Sequence, residues 1–261
     1  MKHFLLIVFS VLCSNTLVYN QSKLSQELEK LIDELFTAYE NQPGVALGIF
    51  KQGEIILSKG YGLANLDYNI PITPLTVFET AGLSKQFTAA CIYLLEAQGK
   101  LSVNDPIQKY LPEMPKYNSQ SITIDHLLHH TSGLRGYLRL HYAKGQSLDT
   151  DLTNEQILKL LSKQTELNFS PGSQFSYSYS GYVLLANIVQ QVSGLSLGDF
   201  SKKYIFEPLG MEHTFIHENA ANPIKNRAIG YESVGDSYQR YHFFNNEVTG
   251  SQGVHTTIED F

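Results

Sequence analysis

A hydroxyl or thiol becomes a useful nucleophile when an amine on the same helical face can take its proton, and residues three apart share such a face. No Ser, Thr or Cys in this chain has a Lys three positions later, and no Gly-x-Ser-x-Gly elbow occurs. Ser84 adjoins Lys85, and neighbours on a helix point roughly 100° apart. His126, His129 and His130 stand at i, i+3 and i+4, a spacing able to bind metal. No Glu or Cys cluster accompanies them, so the reading is no metal. Tyr177-Ser178-Tyr179, Tyr182 and Phe243-Phe244 would line a ligand groove or fill a core, and the core is favoured. Cys91, in the run Ala89-Ala90-Cys91-Ile92, reads as a packed thiol.

These residues need elements to position them. Leu24, Leu28, Leu31, Ile32, Leu35, Phe36 and Tyr39 recur at helical spacing, which predicts an amphipathic helix over 24–39 that must lie on something. Apolar runs at 45–50 and 55–57 flank Lys51-Gln52-Gly53-Glu54 and predict a β-hairpin. Residues 63–83 have no clear period and read as an irregular connection. Helices are predicted from Ser84 to Ala97, Ile124 to His130 and Tyr182 to Val192, the first and last stopped by Gly99 and Gly194. Thr153-Asn154-Glu155-Gln156 has the form of a capping box opening a helix through Leu161. Beyond the hairpin, few further strands are expected.

The 261 residues are 43% apolar and 17% charged, ordinary for a globular protein. A net charge of −6 with scattered Lys and Arg excludes nucleic acid as the expected partner. Met1-Lys2-His3 followed by the apolar run Phe4 to Cys13 reads as an export signal over 1–21, too short to be a transmembrane anchor. Leu12 is bulky where a lipid-attachment site has a small residue, so Cys13 is not taken as an anchor. The mature part, 22–261, is then periplasmic or secreted.

Three stretches carry a resemblance. Phe78-Glu79-Thr80-Ala81-Gly82-Leu83-Ser84-Lys85-Gln86-Phe87-Thr88 is the first, and Ile124-Asp125-His126-Leu127-Leu128-His129-His130-Thr131-Ser132-Gly133-Leu134 the second. The third is Phe169-Ser170-Pro171-Gly172 with Phe175-Ser176-Tyr177-Ser178-Tyr179-Ser180-Gly181-Tyr182. Together they resemble the serine β-lactamase and penicillin-binding protein family, in its class C β-lactamase and D-alanyl-D-alanine peptidase-like branch. The resemblance implies an α+β, β-lactamase/DD-peptidase-like fold. It also implies a Ser-x-x-Lys motif opening a helix, in which Lys85 is the general base and Gly82 stands at the nucleophile position. The family's Tyr-x-Asn motif reads Tyr177-Ser178-Tyr179, so the tyrosine survives at Tyr177 while Tyr179 replaces the substrate-binding amide, and with no nucleophile at 82 Lys85 and Tyr177 read as vestigial family positions.

The third family motif, a Lys-Thr-Gly or His-x-Gly strand, is expected beyond Phe261, where this sequence stops. The fold is therefore expected to be incomplete, a partial domain lacking C-terminal strands, with self-association through the open sheet. Three functions stay open: an acyl-serine hydrolase on β-lactams, D-alanyl peptides or esters; a non-catalytic binder of cell-wall peptide or a β-lactam-like molecule; and an inactive remnant. No cofactor is implied, and a catalytically silent family member is favoured.

Overall fold

A computed structural model describes residues 26–117, 121–145, 152–241 and 247–261. The leader expected at 1–21, Cys13 within it and Phe243-Phe244 lie outside the described residues. The chain divides into two units, Met1–Thr76 and Val77–Phe261.

The first unit opens with a helix over 26–36 (α1) that tightens into a 3₁₀ turn at Thr37–Tyr39. Strands β1 (Val45–Lys51) and β2 (Glu54–Tyr61) form the expected hairpin, with Lys51 paired to Glu54. Gln52 and Gly53 between them have φ of 55° and 82°. Two positive values in a two-residue loop match the right-handed twist of the strands. Short β3 (Leu63–Asn65) and β4 (Ile70–Pro71) pair next. The helix faces the hairpin by a polar route as well as an apolar one. Lys59 of β2 donates to Asp33 at 2.7 Å and to Glu29 at 2.9 Å, and the Tyr61 hydroxyl donates to Asp33 at 2.8 Å. Ile32 is buried and Phe36 stacks on Tyr61, whereas Leu31 and Leu35 remain exposed.

The second unit begins with β5 (Phe78–Glu79), a 3₁₀ turn Ala81–Ser84 and helix α2 (Lys85–Ala97). Helices α3 (Ile124–Leu128), α4 (Tyr137–Ala143), α5 (Asn154–Leu161) and α6 (Tyr179–Ser193) follow. The capping box of α5 forms as predicted, with Thr153 accepting from the Gln156 backbone. After α7 (Leu197–Ser201) a π-helical turn, Lys202–Phe206, leads into α8 (Glu207–Leu209). Strand β6 (Phe215–Ile216), the hairpin β7 (Tyr231–Val234) and β8 (Ser237–Arg240), and β9 (Val254–Thr256) complete the described chain.

Two expectations are corrected here. The 63–83 segment is not irregular throughout, since it holds β3, β4 and β5. Further strands do exist, and β9 lies between β5 and β6 in an antiparallel three-stranded sheet. Elements of two to four residues are too short to display alternation in sequence.

The core of this unit is helix on helix. Cys91, Ile92 and Leu95 of α2 and Val183, Leu184, Ile188 and Val189 of α6 are wholly enclosed. Trimming Ile92, Leu95, Leu184 or Ile188 to Ala costs about 2–5 kcal/mol, through lost transfer energy and the cavity left behind. This buried pair of helices is the platform on which the candidate site stands. No helix among the described residues is long and apolar enough to cross a membrane.

Candidate functional site

The start of α2 grips the chain before β9 with four side chains. The Thr80 hydroxyl donates to the Val254 carbonyl at 3.1 Å, and the Val254 N–H donates to Ser84 Oγ at 3.1 Å. One turn on, Thr88 donates to the Gly250 carbonyl at 2.9 Å. Between these, the Lys85 amine donates to the Ser251 carbonyl at 2.7 Å. Gly250 itself has φ of 93°, and a Cβ there would sit 2.3 Å from the Tyr182 carbonyl oxygen, so only glycine fits. Ser84, whose hydroxyl is taken up by this grip, is 1% exposed.

Lys85 is 7% exposed. Its Nζ lies over three tyrosine rings, 5.0 Å from the centroid of Tyr177, 4.7 Å from Tyr179 and 5.6 Å from Tyr182. Burial pulls the amine down from the ordinary 10.5 to about 8, because a charge removed from water is disfavoured. The ring faces work the other way by favouring the ammonium. Among the described residues no carboxylate forms an ion pair with it.

Gly82 sits in the 3₁₀ turn, just before the helix. A Cβ placed on it would lie 3.1 Å from the Tyr177 hydroxyl and 3.6 Å from the Lys85 amine, with no other atom nearer. The two groups that the sequence pairs with this position therefore flank it in space. The Tyr179 ring packs edge to face on Tyr177 at 5.3 Å and over the Lys85 amine.

The histidines do not converge. His126 accepts the Thr123 N–H through Nδ1 as half of the α3 capping box, and His129 pairs with Asp125 at 3.0 Å. His130 turns the other way, with φ of 57°, and its Nδ1 accepts the Ser178 N–H at 3.2 Å. Its ring lies 4.5 Å from Tyr177 and 5.2 Å from Tyr182. Burial, and then the Lys85 charge, hold His130 below the usual imidazole range. A neutral His130 with its proton on Nε2 fits the accepted bond, and it buttresses Tyr177 from behind.

Sequence reasoning reached Gly82, Lys85, Tyr177 and Tyr179, and the structure brings the four together in the second unit. It did not reach the Ser251 carbonyl, His130 as a buttress or Tyr182 as the third ring. Tyr182 is fixed by its hydroxyl, which donates to the Leu128 carbonyl at 3.1 Å. The glycines on either side of Ser251-Gln252 were the available signal for a closely packed segment.

A family model described as Beta-lactamase matches residues 32–261. Penicillin-binding protein 4* of Bacillus subtilis (strain 168) is 37% identical over 181 residues, 69% of this chain and 40% of that protein. Among solved structures, the octameric penicillin-binding protein homologue from Pyrococcus abyssi aligns with a TM-score of 0.76 and 30% identity, over 90% of this chain and 54% of its own. A class C beta lactamase aligns with a TM-score of 0.71 and 26% identity, over 92% of this chain and 64% of its own. The chain thus spans from 40% to 64% of the length of these proteins.

Proposed function

The chain belongs to the β-lactamase family and has its mixed α+β fold, and on that premise we propose that it is an exported, non-acylating member that binds acyl compounds without hydrolysing them. One observation carries this reading: the point flanked by the Tyr177 hydroxyl at 3.1 Å and the Lys85 amine at 3.6 Å belongs to a glycine. Both proton-handling groups are in place, and the hydroxyl they would activate is missing. Ser84 offers no substitute, because its oxygen accepts from Val254 inside the grip on the β9 segment.

The ligand class follows from the relatives, one named as penicillin-binding and one as a β-lactamase. A β-lactam or a peptide ending in D-alanine brings a carboxylate that a cationic Lys85 attracts. Tyr177 and Tyr179, 50% and 38% exposed, give such a molecule apolar ring faces to lie on. In this reading Lys85 and Tyr177 hold the ligand rather than turn it over, and Tyr179 narrows the space an amide would have used.

The test is kinetic. A chromogenic cephalosporin and an activated ester should show no turnover above background, since loss of a nucleophile costs on the order of 10⁶ in rate in a well-studied serine protease. An acetylated D-alanyl-D-alanine peptide should still bind reversibly by calorimetry. Burst kinetics or multiple turnovers would overturn the reading.

A further inference from the structure

With no side chain at position 82, the point where its Cβ would lie meets the Lys85 amine at 3.6 Å and, more tightly, the Tyr177 hydroxyl at 3.1 Å. From this we propose that Lys85 is a covalent capture site for small aldehydes, its amine condensing with a carbonyl carbon lodged beside Gly82 to form an imine. The inference concerns the same site as the proposed function and rests on its reading of Gly82.

Three features of the geometry converge. Among the described residues the amine is held by one hydrogen bond, to the Ser251 carbonyl at 2.7 Å. A neutral amine can keep that bond through one of its hydrogens while its lone pair stays free to attack. The tyrosine rings around it, at 4.7 to 5.6 Å, exclude bulk water and offer a flat, apolar wall to an aryl or short alkyl group. The third feature is the Tyr177 hydroxyl, 3.1 Å from the point where a Gly82 Cβ would lie. Burial raises its pKa, so it keeps a proton to give. Burial likewise favours the neutral amine at mildly alkaline pH.

The steps balance. The nitrogen lone pair forms a C–N bond, the carbonyl π pair moves to oxygen, and the proton lost from nitrogen reaches that oxygen to give a carbinolamine. Tyr177 then protonates the hydroxyl, the C–O bond breaks and water leaves. The nitrogen lone pair closes C=N, and the remaining N–H proton returns to Tyr177. No oxidant or reductant takes part.

The groups facing the amine are Tyr177, Tyr179 and Tyr182, with His130 behind them. No carboxylate is among them to hold the lysine charged.

The experiment treats the full chain with phenylacetaldehyde and sodium cyanoborohydride, which reduces the imine to a stable amine. Intact mass and peptide mapping then locate the label. At pH 8 an amine titrating near 8 is about half neutral, and one at the ordinary value is below about 1% neutral. Lys85 should therefore label at least about tenfold faster than surface lysines in the folded protein, and lose that preference in urea. Gly82→Ser, which fills the space, should slow labelling of Lys85 severalfold while surface lysines label as before. Labelling of Lys85 no faster than the surface lysines, or full-rate labelling in folded Gly82→Ser, overturns the proposal. The turnover assay probes a hydroxyl nucleophile and this one an amine, so either reading can fail while the other stands.

Discussion

His255 and Phe215 lie ring against ring across β9 and β6, their centroids 5.5 Å apart and their planes 8° from parallel. The imidazole Nδ1 meets the Gly253 carbonyl at 3.1 Å, and its buried Nε2 has no hydrogen-bond partner among the described residues. Burial first holds this group down at about 4, against an ordinary 6.5. The folded state thus takes up the proton later than the unfolded state as pH falls. Its contribution to stability is complete above 6.5 and drains away between 6.5 and 4, by roughly 3 kcal/mol. His255→Phe should cost about 1 kcal/mol at pH 7 for the lost bond, yet match or exceed the parent at pH 4.5. Urea melts at the two pH values measure this, and parallel losses in both proteins would refute it.

Lys85 acts in the same direction at alkaline pH. Its folded value of about 8 lies below the ordinary 10.5, so the unfolded chain holds the proton more tightly between these values. Stability from this group rises as pH climbs from 8 towards 10.5, by about 2 kcal/mol between pH 7 and 9.5. Lys85→Met removes the charge and with it the slope. The difference in urea midpoint between pH 7 and 9.5 should shrink in the variant.

Gly82→Ser should fold with a change in stability below about 1 kcal/mol. The nearest atom to its new Cβ is the Tyr177 hydroxyl, the end of a half-exposed side chain able to swing aside. Rebuilding Ser-x-x-Lys alone should yield slow acylation at best, because the Tyr179 ring remains over the amine. Adding Tyr179→Asn should raise the acylation rate at least about tenfold, as one restored polar contact in a transition state is worth 10²–10³ in other enzymes. A fluorescent penicillin and stopped-flow mixing would follow both variants. A single variant as fast as the double would show that Tyr179 plays no part.

Gly250→Ala should destabilise the second unit by about 2–4 kcal/mol, since it imposes a strained backbone and a clash with the Tyr182 carbonyl 2.3 Å away. A thermal melt within a degree of the parent would contradict the close approach.

The long elements were legible because their signals are local. The hairpin of β1 and β2 announces itself by two apolar runs around Gln52-Gly53. The α5 box Thr153 to Gln156 and the stop of α6 at Gly194 each sit within four residues of what they cap. At the site, Gly82 and Lys85 could be read from motif spacing, and Tyr177 and Tyr179 from the same resemblance. The partner that holds the amine could not, because a backbone carbonyl carries no residue signature and Ser251 lies 166 residues away. The place of His130 was not legible for a different reason. Its spacing with His126 and His129 suggests a shared face, but its positive φ turns the ring out of the helix towards Ser178.

The grip of α2 on the segment before β9 also sets an order of assembly. Its bonds from Thr88, Lys85 and Ser84 each close a loop of 162, 166 or 170 residues, and loops of such length carry an entropic cost that only a nearly finished core can offset. When α2 and α6 gather their apolar faces, the rings of Tyr179 and Tyr182 come over the Lys85 amine, but the Ser251 carbonyl it donates to is still missing. On a ribosome, residues 250–254 emerge long after α2 is made. The bond that anchors this amine is therefore made at the end of folding, and a chain trapped one step short would carry its helices and tyrosine rings with the lysine still untethered.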